Sequence, residues 1–276
     1  MCVPEHSVFG FVGKNGAGKT TTMKAILGLF GVDAGEIYVC GERVCFGKSE
    51  TNRNVGYLPD VPEFYPFMTP KEYLKLCGEC LDMKPSEIEK RSAELLCLVG
   101  LEGEDRRIKG FSRGMKQRLG IASALLARPK ILICDEPTSA LDPIGRKEIL
   151  DLLLAVREQT TVLFSTHILS DVERICTDVA LIHDGRIARF GPVNELKIAN
   201  REQKFTVELI DTQTATTLKN AFADAELVAP DTLVFCGTED KLFEIMDFLS
   251  KNKLGFTKIE RAGVSLEDMF LEVVSK

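Results

Sequence analysis

No apolar run in this 276-residue chain approaches the roughly 20 residues a helix needs to cross a bilayer, which excludes a membrane-spanning helix. No internal repeat or low-complexity stretch interrupts it, which excludes solenoids and long unstructured linkers. No secretory signal is visible, so the nine cysteines read as reduced, cytosolic thiols rather than disulfide partners. Cys77 and Cys80 form one C-x-x-C, but no second pair follows. Both fall in a helical pattern, where packing is a better account than zinc or redox chemistry. Positive charge is also short. The net charge is -6, and residues 201–276 hold nine Lys/Arg against fourteen Asp/Glu. No basic stripe is left for nucleic acid, and the C-terminal part would repel phosphates. What remains is 45% hydrophobic, enough for one large domain and a smaller one.

The stretch that organises the chain is Gly13 to Thr20, GKNGAGKT, which fits G-x-x-x-x-G-K-[ST]. Gly13, Gly16 and Gly18 allow the backbone to curl so that successive N–H groups face a β-phosphate. Lys19 sets a compact positive charge against the β- and γ-oxygens, and Thr20 offers a hydroxyl to Mg²⁺. Asn15, Ala17 and Thr21 complete the candidate nucleotide-binding set. Val8–Val12 reads as the strand before this loop, and Thr20–Leu29 as the helix after it, its dipole aimed at the anion.

Further on, Glu36–Val39 and Arg43–Phe46 read as a hairpin about Cys40-Gly41, and Val55–Leu58 as a strand leading into a Pro-rich loop. Thr69-Pro70-Lys71-Glu72 is a capping box opening a helix to about Leu81. Pro85–Val99 and Ser112–Ala127 are two more helices. Ile131–Cys134 and Val162–Phe164 read as buried parallel strands, with helices over 142–158 and 168–176. Val179–Ile182 and Arg186–Phe190 flank an Asp184-Gly185 hairpin turn. Strands alternating with helices imply a mostly parallel, helix-covered sheet, with a helical lobe inserted at about 61–127. From residue 201 the pattern changes to a small α+β module. It holds a strand at Lys204–Ile210, a helix through Leu242, Ile245, Met246 and Leu249, and a last helix capped by Ser265 and carrying Met269, Phe270 and Val273.

The strand Ile131–Cys134 ends in Asp135-Glu136. Two carboxylates at the tip of a buried strand are costly without a cation. Beside a phosphate loop they gain roles: Asp135 to hold Mg²⁺, Glu136 to orient and deprotonate an attacking water. Phe111–Arg118 opens a helix with Ser112 as N-cap and a bare Gly114. A plain capped helix accounts for it, and so does a second anion site built on exposed N–H groups.

Together these residues resemble the ATP-binding subunit of an ABC transporter, of the type paired with ABC-2 exporter permeases. Gly13–Thr20 is similar to the Walker A loop and Ile131–Glu136 to the Walker B strand with its catalytic acid. FSRGMKQR at 111–118 is similar to the ABC signature, Ser139–Asp142 to the D-loop, and Ser165-Thr166-His167 to the switch-histidine segment. The resemblance implies a P-loop NTPase ABC cassette over 1–200, with a RecA-like core and a helical subdomain, plus an accessory module over 201–276. It implies a head-to-tail dimer, homo- or heterodimeric, with ATP–Mg²⁺ between one phosphate loop and the other subunit's Ser112 and Gly114. His167 would contact the γ-phosphate, and Asp142, also a helix cap, would read the partner's site. An ABC-2-type integral-membrane permease at the cytoplasmic face of the cell membrane would be driven through the loop Pro59–Thr69, with Phe64, Tyr65 and Phe67. Packing of those aromatics under the lobe is the equal alternative.

The chain departs from this pattern twice. Asp60 stands where the family has Gln, or Glu in many ABC-2 relatives, so a catalytic contact from Asp60 would need a bridging water and hydrolysis would be slower. About thirty residues usually precede the phosphate loop, including an aromatic that stacks on adenine. Their absence implies a truncated front, weak ATP binding and poor solubility. Two other classes compete. A soluble ABC ATPase on ribosomes or DNA would bring a second cassette or long coiled coils. A nucleotide kinase would lack the signature and the switch histidine.

Overall fold

The computed structural model describes residues 1–48, 50–199, 204–262, 266–267 and 269–270, which fall into two compact units, Met1–Val193 and Asn194–Lys276.

The first unit opens with β1 (Val8–Val12), α1 (Lys19–Ile26), a two-residue hairpin of β2 (Tyr38–Val39) and β3 (Glu42–Arg43), and β4 (Val55–Leu58). Three helices follow: α2 (Pro70–Cys80), α3 (Pro85–Leu98) and α4 (Arg113–Ala124). Then come β5 (Ile131–Cys134), α5 (Pro143–Val156), β6 (Thr161–Thr166), α6 (Leu169–Ile175), β7 (Asp178–His183) and β8 (Arg186–Pro192). Their sheet runs β4-β5-β6-β1-β7-β8, parallel except for the last strand. Every residue of β1 and β6 is buried, β1 as an unbroken apolar run and β6 with an apolar middle, Val162–Phe164, between polar ends.

Register puts the chemistry in one place. Leu58 pairs with Cys134, Cys134 with Phe164, and Val12 with Thr166. The carboxyl ends of β1, β4, β5 and β6 therefore lie along one edge, where open α/β sheets bind ligands. The segments leaving those four ends carry Gly13, Asp60, Asp135 and His167.

Several elements are shorter than their sequence patterns. Helix α1 stops at Ile26 because Gly28 turns through φ +70. The first hairpin has two paired residues per strand, although Val44 still donates its N–H to Ile37. Helix α4 begins at Arg113, with the Ser112 hydroxyl accepting from the Met115 N–H at 3.2 Å. The capping box at Thr69 and Glu72 is formed in both directions, and Asp184 and Gly185 both take the positive φ of a tight hairpin turn. Cys77 and Cys80 lie on α2; burial pushes the Cys77 thiol up, opposite to what a reactive thiolate needs.

Helix α7 (Val193–Ala199) starts on the last residue of the first unit, and the second unit continues with β9 (Lys204–Leu209), α8 (Thr212–Ala221), β10 (Glu226–Ala229), β11 (Thr232–Cys236), α9 (Glu239–Lys251) and β12 (Phe256–Ala262). Its antiparallel sheet, β10-β11-β9-β12, buries Phe205, Val207, Leu233 and Phe235 with Ile245 and Leu249 of α9. Met246 is exposed, so the apolar stripe of α9 is narrower than its sequence suggests. Leu266 and Met269 are buried and helical, while Ser265 and Val273 lie outside the described residues.

Candidate active site

The candidate phosphate loop, Gly13–Thr20, is held open by its backbone. Gly16 and Gly18 sit at φ +84 and +103, a region that side chains disfavour. A Cβ on Gly13 would lie 2.7 Å from the carbonyl oxygen and a methyl of Ile182, so β7 leaves room only for glycine. Gly18 is also the N-cap of α1, whose first N–H groups have no side-chain cap and face the loop. The ammonium of Lys19, with the residue 6% exposed, donates to the carbonyls of Gly13 (2.7 Å) and Lys14 (3.2 Å). It also lies 3.1 Å from Glu136 Oε1. That oxygen is buried with no hydrogen-bond partner of its own.

The two acids are anchored unequally. Asp135 is buried, with Oδ1 accepting from Ser165 Oγ at 2.6 Å and Oδ2 from Thr20 Oγ1 at 2.7 Å. Glu136 takes φ +47, an unusual backbone for a residue with a long side chain. Its N–H donates to Ser165 Oγ at 2.9 Å, and its Oε2 lies 2.9 Å from His167 Nδ1.

Asn15, Gly16, Gly18, Lys19, Thr20, Thr21, Asp60, Glu136, Ser139 and His167 line one open cavity of about 330 Å³. Lys19 is its one buried cation among the described residues and pairs with Glu136, while Asp60 lines the same cavity and Asp135 lies behind Thr20. That surplus of negative charge, with the Thr20 hydroxyl beside Asp135, fits a hard divalent cation. No three His, Cys, Asp or Glu side chains among the described residues form a metal cage. A cation here would have to share its coordination with substrate phosphates, as Mg²⁺ commonly does.

Ser112, Gly114 and Asp142 are not among the residues lining this cavity. Ser112 caps α4, and Gly114 has only Leu141, at 3.9 Å, near the space a Cβ would take. Asp142 caps α5, accepting from the Gly145 N–H at 3.2 Å. Asp60 lines the cavity and is paired with α4. Its Oδ1 accepts from Arg113 at 3.2 Å, and its carbonyl from the Gln117 side chain at 2.8 Å. Burial pushes the Asp60 carboxyl above its ordinary value, helped by Asp135 and Glu136 and opposed by Arg113 and His167. Ser165 stands in the sequence only as a neighbour of His167, yet its hydroxyl bridges both acids, donating to Asp135 and accepting from the Glu136 N–H.

The ABC transporter family matches residues 1–139, half of the chain. The chain is 38% identical over 283 residues to the bacitracin transport ATP-binding protein BcrA of Bacillus licheniformis, covering 99% of this chain and 90% of that one. It is 36% identical over 282 residues to the ABC transporter ATP-binding protein YxlF of Bacillus subtilis, covering 99% and 92%. The chain belongs to the ABC transporter family. As an ABC ATP-binding subunit it binds and hydrolyses ATP, and such subunits dimerise and work with membrane permeases. Among solved structures, the cassette MJ0796, a post-hydrolysis dimer bound to ADP and Pi, superposes with a TM-score of 0.62 at 25% identity. That match covers 70% of this ABC subunit and 88% of MJ0796.

The Asp60–Arg113 pair lends itself to a direct test. Both side chains are well exposed, so breaking it changes stability by at most ~1 kcal/mol. Asp60→Gln adds one bond of reach toward the cavity. Steady-state ATPase assays should show turnover rising by up to about tenfold, ~1.4 kcal/mol in the barrier, with an unchanged melting temperature. Unchanged turnover would remove Asp60 from the mechanism.

Proposed function

We propose that this subunit powers export through a separate ABC-2-type permease, closing on ATP as a dimer and opening after hydrolysis. The observation carrying this reading is that the phosphate cavity of one chain contains Lys19, Glu136 and His167 but neither Ser112 nor Gly114. A second cassette, identical or paralogous, supplies those two. Lys19 and the loop N–H groups hold the β- and γ-phosphates, and Ser112 and Gly114 of the partner subunit cover the γ-phosphate from the opposite side. Glu136 orients the attacking water and takes its proton. His167, packed on Glu136, contacts the γ-phosphate, and Asp142 reaches the partner's site. Thr20 and Asp135 would hold Mg²⁺, directly or through water. The ion would supply neutralisation of the charge on the transferring phosphoryl group. Closure that depends on the γ-phosphate makes a ligand-driven two-state switch.

Among the described residues no helix is long and apolar enough to cross a membrane, so the work passes to another protein. Tyr65 and Phe67, 52% and 59% exposed, offer it an apolar contact. Phe64 instead packs edge-on against Tyr73 of α2 at 4.9 Å. The two readings of these aromatics thus divide between the side chains. BcrA's transport of bacitracin, at 38% identity, supports a transport role. Fractionation of native cells tests the proposal. The chain should sediment with membranes at their cytoplasmic face and come out of detergent with a polytopic protein. A wholly soluble pool with no such partner contradicts it.

A further inference from the structure

We infer that Asp171 is a positioning residue that holds Glu136, Asp142 and His167 in one relative arrangement; the inference rests on the active-site reading above. Asp171 lies on α6, four residues past His167, and is 1% exposed. A carboxylate so deep is costly unless both oxygens are well paired. Both are. Oδ2 accepts from Thr138 Oγ1 at 2.8 Å, and Oδ1 from Arg146 Nε at 2.6 Å. Arg146 also donates from Nη2 to Ser170 Oγ at 2.8 Å, so its guanidinium grips two adjacent residues of α6.

The three segments tied together are those that carry the chemistry. Thr138 is buried two residues past Glu136, in a stretch that passes through positive φ at both Glu136 and Ala140. Arg146 lies in the first turn of α5, four residues past Asp142. Asp171 lies in the first turn of α6, four residues past His167. Strain at two non-glycine residues persists only where neighbours over-determine the path, and the Thr138–Asp171 bond is the buried tether at its middle. Held at both ends, the 2.9 Å contact between His167 and Glu136 becomes a property of the packed core. Neither Thr138 nor Asp171 lines the phosphate cavity. Losing the tether should therefore reach hydrolysis without reaching ATP binding.

Two substitutions at Thr138 separate this role from packing. Thr138→Val keeps the shape and removes the hydroxyl; Thr138→Ser keeps the hydroxyl and removes a methyl. In the full chain, Thr138→Val and Asp171→Asn should each lower kcat for ATP at least about tenfold, with KM within about twofold. Thr138→Ser should stay within about twofold of the parent. The two losses should not add in the double variant, because the residues act as one unit. Amide hydrogen exchange should quicken together in residues 136–142 and 167–171 of Thr138→Val, and not in Thr138→Ser. The reverse order, Ser impaired and Val at the parent level, makes Thr138 a packing residue and overturns the inference, as does unchanged exchange in Thr138→Val. Should the parent chain hydrolyse nothing, the active-site reading fails, while the exchange comparison still decides the tether.

Discussion

Glu136→Gln should bind ATP with nearly the parent affinity and hydrolyse it at least about a hundredfold more slowly, the lower end of what a positioned general base contributes. Glutamine is nearly isosteric, so the Lys19 and His167 contacts keep a polar partner at 3.1 and 2.9 Å. What disappears is the capacity to take a proton from water. The site also loses a negative charge that γ-phosphate would otherwise face, so ATP should be retained more tightly once the dimer has closed. Single-turnover hydrolysis with radiolabelled ATP checks the rate, and equilibrium dialysis the affinity. Near-parental turnover would assign the base to another group.

Lys19→Met is expected to act one step earlier. The side chain keeps its length and apolar stem, and the cation goes. A unit charge about 4 Å from a phosphate charge is worth roughly 4 kcal/mol at an effective dielectric of about 20. Its ion pair with Glu136 offsets part of that, leaving a loss of at least about a hundredfold in ATP affinity, ~2.7 kcal/mol. Hydrolysis should fall below detection. Circular dichroism should report an intact fold, since β1 and the core beneath α1 are untouched. A variant that still binds micromolar ATP would mean the backbone N–H groups hold the phosphates without the ammonium.

The two sets of residues in this site differ in how openly the sequence shows them. Gly13–Thr20 and Asp135-Glu136 are contiguous, and their spacing is itself the chemistry. A loop that must curl around a phosphate needs its glycines and lysine at fixed offsets. Parallel strands then bring these stretches together because their carboxyl ends share one edge. That arrangement follows from the alternation of strand and helix alone. Ser165, Thr138, Arg146 and Asp171 act across separations of about 25 to 33 positions. Each is an ordinary polar residue at an ordinary place in its own element. The pairing of β5 with β6 brings Ser165 to the acids, and the packing of α5 and α6 beside the 136–142 loop makes Thr138, Arg146 and Asp171 neighbours.

The sequence predicts that Asp60, being short, meets the site only through a water, and in the structure its Oδ1 pairs with Arg113 of α4. Nothing local foretells which of two attractions a short carboxylate will follow. In the second unit, β9 and α9 stood out by their periodicity. Strands β10 and β11 did not: Leu227 and Val228 are consecutive and exposed, and Leu233 and Phe235 form too short an alternation to separate from a loop.

The claim under most strain is that one chain carries an incomplete site. Sedimentation velocity of Glu136→Gln in saturating ATP–Mg²⁺ addresses it without an activity assay. The variant should shift from monomer to dimer, and the shift should require ATP, fail with ADP and be abolished by Ser112→Arg at the N-cap of α4. A species that stays monomeric with ATP bound would contradict it.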